Sequence, residues 1–110
     1  MIGIATGSPP AAALARRPVT LLLATGRVAV LLAFEKAAWT AGLTLVASPD
    51  GLHAIMSALR RPPTVIVLDA VLPGVDADTV EAMLGRDPRT ACIPLVRIAG
   101  PPDTSPELAA

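Results

Sequence analysis

Four short apolar runs punctuate the chain, and helical spacing or turn residues follow each of them. Residues 65–68 read V-I-V-L, with three β-branched side chains and no polar break. Such a run predicts a strand covered on both faces, as in a parallel sheet. Three further strands are predicted at 19–24 (V-T-L-L-L-A, before Thr25-Gly26), 43–47 (L-T-L-V-A, before Ser48-Pro49-Asp50-Gly51) and 94–99 (P-L-V-R-I-A, before Gly100-Pro101-Pro102).

Between them the period changes to that of a helix. Over 27–41, Val30, Phe34, Ala37 and Ala41 recur on one side, with Gly42 as the C-terminal cap. Val28, Leu32 and Trp39 fall on the opposite side, interrupted mainly by Glu35 and Lys36. Two readings stand for them: a docking face for a partner, or scattered exposed side chains in an Ala-rich segment. Over 52–60 the inward residues are Ala54, Ile55, Ala58 and Leu59, and over 77–85 they are Val80, Met83 and Leu84, with Asp76 as N-cap. Alternating strands and helices with short connections predict an α/β fold with a parallel sheet and flanking helices. Gly7, Ser8, Pro9 and Pro10 mark residues 1–18 as a flexible lead, and 19–110 as the domain.

Composition narrows the function classes. One domain of 110 residues, 53% hydrophobic and 16% charged, collapses around a single core rather than staying disordered. Nine basic and nine acidic residues cancel, and the absence of a basic cluster beyond Arg16-Arg17 and Arg60-Arg61 argues against nucleic-acid binding. A membrane segment over 19–34 is disfavoured by Arg27 at its centre, which costs roughly 3 kcal/mol on insertion scales. The start of the chain has no signal-peptide pattern, and a lone cysteine, Cys92, fits a reducing compartment; a cytoplasmic protein is the expectation. His53 has no second metal ligand near it and reads as a solvated helix residue.

The candidate chemistry sits after the 65–68 run. Asp69 is placed at the C-terminal end of its strand, the edge where open α/β sheets carry ligand sites. The segment continues as Leu72-Pro73-Gly74-Val75-Asp76, then Asp87-Pro88-Arg89-Thr90 and Ile93-Pro94. It resembles the receiver domain of two-component response regulators, where an aspartate at this point is the phosphoacceptor. The resemblance implies a flavodoxin-like sheet in the order 2-1-3-4-5. Only four strands can be assigned here, so a truncated receiver-like domain lacking the fifth strand and last helix is expected. Val96, Arg97 and Ile98 would then lie on an open edge that favours a homodimer or a partner's strand.

The resemblance also implies a pocket, and this chain departs from it. The family's acidic pair aligns with Thr25 and Gly26, its strand-end hydroxyl residue with Ala99, and its lysine has no counterpart. Asp69 alone remains as phosphoacceptor and as a weak magnesium ligand. Mg²⁺ is therefore expected only if the site is active. The expected function is a receiver-like signalling module of a phosphorelay, degenerate at Asp69, with a histidine kinase or phosphotransfer protein as possible partner. The alternatives are a phosphorylation-independent pseudo-receiver acting through protein contacts, or a truncated fragment without a role. No Gly-rich phosphate loop, Ser-His-Asp set or metal cluster points to an enzyme.

Overall fold

The computed structural model describes residues 19–99. The lead assigned to 1–18 and the end of the chain beyond Ala99 lie outside the described residues. In chain order the elements are β1 (Thr20–Ala24), α1 (Val28–Ala41), β2 (Thr44–Ser48), α2 (Gly51–Arg60), β3 (Val65–Asp69), α3 (Ala77–Arg86) and β4 (Leu95–Ile98). The strands form one all-parallel sheet in the order β2-β1-β3-β4. Every crossover between them contains a helix, as parallel pairing requires.

Strand alternation divides the core into two layers. Leu22, Ala24, Ile66 and Leu68 point to one face and pack with Ala54, Ile55 and Ala58 of α2 and Val80 and Leu84 of α3. Leu23 and Val67 point to the other face and meet Val30 of α1, with Leu21, Leu31, Phe34, Leu45 and Ile98 around them. β3 has neighbours on both sides and helices over both faces, so residues 66–69 are all buried. That is why its sequence is apolar without alternation.

The ends of the elements follow local chemistry. Asp50 caps α2 by accepting from the His53 N–H at 2.8 Å, and Asp76 caps α3 by accepting from the Thr79 N–H at 2.8 Å. Gly42 stops α1 in the left-handed conformation at φ 74°, its N–H reaching the Trp39 carbonyl, while the Leu43 N–H returns to Ala38. This double return is a Schellman ending. α1 begins without such a side-chain cap, at Arg27.

Two inward faces differ from the periodic expectation. In α1 the row against the sheet is Val30, Phe34 and Ala38 with Leu31 beside it, whereas Ala37 and Ala41 are exposed. The i, i+4, i+8 row advances around the helix as it follows the twisted sheet, so the contact leaves the i+7 position. In α3, Val80 and Leu84 are buried, but Met83 stands on the flank of that row and is 45% exposed. β2 also runs one residue later than the hydrophobic run suggested, because Ser48 pairs with Ala24 and is itself buried.

Candidate phosphoacceptor site

The register of the central strands assembles the site. Ala24 of β1 lies beside Leu68 of β3, so the residues immediately after each, Thr25 and Asp69, emerge together at the C-terminal edge. Asp69 is fully buried, and Thr25 is nearly so. The Thr25 hydroxyl donates to Asp69 Oδ2 at 2.7 Å.

Arg27 completes the arrangement. Its Nε donates to Asp69 Oδ2 at 2.7 Å and its Nη2 to Oδ1 at 2.8 Å, a two-pronged pairing of guanidinium with carboxylate. The Val71 N–H also donates to Oδ1 at 3.0 Å. Each carboxylate oxygen therefore accepts two hydrogen bonds. Burial by itself raises the Asp69 pKa, but the bonds from Arg27, Thr25 and the Val71 amide outweigh it and hold the group below its ordinary 3.8.

The loop after β3 closes the other side. Pro73 lies over Gly26, and a Cβ added at Gly26 would come within 2.8 Å of the Pro73 ring. The same loop passes the start of α2, where the Gly51 N–H donates to the Pro73 carbonyl and a Cβ would overlap Val75. Gly74 makes the turn at φ 72°.

Asp69 thus stands where the sequence put it, with Thr25 in direct contact and Gly26 beneath Pro73. Ala99 follows β4 at the same edge and is exposed. Arg27 was not among the expected site residues. The available signal was its place two residues after Thr25, in the turn that follows the strand flanking β3.

The remaining candidates are dispersed. Val28, Leu32 and Trp39 are 67%, 57% and 87% exposed, consistent with an outer face of α1. Val96 is half exposed on β4, Ile98 packs partly against the α1 layer, and Arg97 turns to α3, where it pairs with Asp78 at 2.9 Å and Glu81 at 2.8 Å. His53 pairs with its own helix cap, Asp50, at 2.9 Å. Among the described residues no group of three or more His, Cys, Asp or Glu is placed to hold a metal ion. None of the described helices is long and apolar enough to cross a membrane.

Comparison with known proteins points to response regulators. No protein-family model matches the chain. The response regulator PleD of Caulobacter vibrioides is 45% identical over 49 residues, which cover 44% of this chain and 11% of PleD. The DNA-binding transcriptional regulator RpaA of Synechocystis is 40% identical over 58 residues, covering 53% of this chain and 24% of RpaA. A response regulator structure from Chloroflexus aurantiacus superposes with a TM-score of 0.71 at 25% identity, covering 74% of this chain and 66% of that one. These likenesses support a response-regulator receiver domain.

The fold also agrees with that of further receiver structures. The chemotaxis response regulator CheY4 of Vibrio cholerae superposes on this receiver with a TM-score of 0.73 at 17% identity, over 84% of this chain and 75% of CheY4. The receiver domain of a Pseudomonas aeruginosa sensor histidine kinase superposes with a TM-score of 0.70 at 20% identity, over 74% of this chain and 66% of that one. That structure holds a magnesium ion in its active-site cleft. This chain spans about a tenth to a quarter of the curated relatives it matches.

The residues here do not fit such an ion. Magnesium demands about six oxygen ligands in near-octahedral array. This receiver offers one carboxylate, whose two oxygens already accept from a guanidinium, a hydroxyl and an amide. The neighbouring position where a second carboxylate could project is Gly26, and Pro73 fills the space above it.

Proposed function

We propose that this receiver domain acts as a pseudo-receiver, a signalling module whose output does not require a phosphoryl group on Asp69. The observation that carries the proposal is the double hydrogen bond from Arg27 to a fully buried Asp69. A carboxylate acts as nucleophile through an accessible lone pair, and phosphoryl transfer needs a cation to neutralise charge between the partners. Both oxygens of Asp69 are taken up by hydrogen bonds, and the residues around it do not fit a divalent ion. The module has no turnover of its own and works in the cytoplasm through protein contacts.

The outer face of α1, with Val28, Leu32 and Trp39, and the exposed Val96 on β4 support a protein partner, either a second copy or a strand or helix from another chain. A histidine kinase or phosphotransfer protein remains a partner by docking rather than by phosphoryl transfer. The test is intact mass after incubation with acetyl phosphate and magnesium, on the wild type and Asp69→Asn. The expected result is no adduct on either chain. A magnesium-dependent phosphoryl adduct on the wild type alone would show an active phosphoacceptor, with Mg²⁺ as its cofactor and a kinase as its donor.

A further inference from the structure

We infer that Arg27 is a built-in replacement for the divalent cation, holding Asp69 by its guanidinium so that the receiver keeps its site assembled without metal. The inference rests on the pseudo-receiver reading and names what maintains it. Asp69 is 0% exposed, and a buried carboxylate requires a partner of opposite charge with good geometry. Arg27 supplies both prongs of its fork at 2.7 and 2.8 Å. Its own side chain is 27% exposed, so it reaches the carboxylate from the mouth of the site.

Charge and placement exclude a metal as well as replacing it. Asp69 and Arg27 sum to zero, and a divalent cation added beside them would meet a fixed positive charge and a carboxylate with no oxygen left unbonded. The cation is also tied to an element. Arg27 opens α1, its N–H donates to the Thr25 hydroxyl at 3.0 Å, and its carbonyl accepts the Leu31 N–H at 3.1 Å. The guanidinium therefore fastens the start of α1 to the end of β3, a connection that a diffusible ion would make only when bound. Because α1 also carries the exposed Val28, Leu32 and Trp39, the same ion pair positions the proposed docking face.

The experiment measures the unfolding midpoint of the full chain in EDTA and in millimolar MgCl₂, for the wild type, Arg27→Lys, Arg27→Met, Arg27→Glu and Arg27→Glu with Asp69→Asn. The wild type is expected to unfold at the same temperature in both solutions. Arg27→Met should unfold lower by about 5 °C, with Arg27→Lys restoring part of the loss because it keeps charge but not the fork. Arg27→Glu places two carboxylates together; it should be lowest in EDTA and rise in magnesium, and adding Asp69→Asn should remove that response.

A wild type stabilised by magnesium would overturn the inference, since the ion would then be displacing Arg27. So would an Arg27→Met chain as stable as the wild type, which decides the matter even where Arg27→Glu fails to fold. These failures differ from failure of the pseudo-receiver reading, which is read from the phosphoryl adduct and not from the midpoint.

Discussion

Pro73 and Gly26 meet at the mouth of the site, so closely that any Cβ at Gly26 would fall 2.8 Å from Pro73 Cγ. The contact joins the β1–α1 turn to the loop after β3, and it exists only because position 26 has no side chain. Gly26→Ala should displace the Pro73 loop and cost about 1–3 kcal/mol, as overpacking does in a close-packed region. Urea unfolding of the variant checks this, and an unchanged midpoint would mean that the proline ring yields freely.

Asp69 makes stability depend on acidity. Its folded pKa lies below the ordinary 3.8, so in the window between the two values the unfolded chain binds the extra proton. The stabilisation is complete above about pH 5 and is lost as pH falls through the folded value. Asp69→Asn should weaken the protein by about 2 kcal/mol near neutral pH, the scale of hydrogen bonds to a charged group. Its stability should also fall less steeply than the wild type's in acid. Asp50, Asp76 and Asp87, the last lowered to about 2, titrate in both chains and cancel from the comparison.

Thr90 offers a test away from the site. Its hydroxyl is buried and donates to the Leu84 carbonyl at 2.6 Å, which ties the loop after α3 to the end of that helix. Thr90→Val keeps the shape and removes the donor, so a loss of about 1 kcal/mol is expected in denaturant unfolding. Exchange of the loop amides, especially that of Ile93, which donates to the Thr90 carbonyl, should quicken at the same time.

Trp39 reports on the proposed docking face. It is the one tryptophan of the chain and is 87% exposed. Its emission should be that of hydrated indole in dilute solution and should shift to the blue as the chain associates through α1. Trp39→Ser should leave monomer stability within about 0.5 kcal/mol while weakening association. Emission that ignores concentration, while sedimentation reports a dimer, would move the interface to β4.

Several features were legible locally. The V-I-V-L run made β3 a buried parallel strand, Asp76 announced a helix start, and Gly42 announced a helix end. In each case the residue's own conformational or hydrogen-bonding preference does the work, within one turn of the chain. The inward face of α1 was only half legible. Helical periodicity found Val30 and Phe34, but the choice of Ala38 over Ala37 belongs to the twist of the sheet beneath.

What the sequence by itself determined was the order of strands and helices, the place of Asp69 at a strand end, and the lack of carboxylates at Thr25 and Gly26. Tertiary structure decided what became of that lone carboxylate. Placing β1 between β2 and β3 brought Thr25 and Arg27, 44 and 42 residues away in the chain, into contact with Asp69. A buried charge must find its partner in space, and no local pattern names a partner from a neighbouring strand.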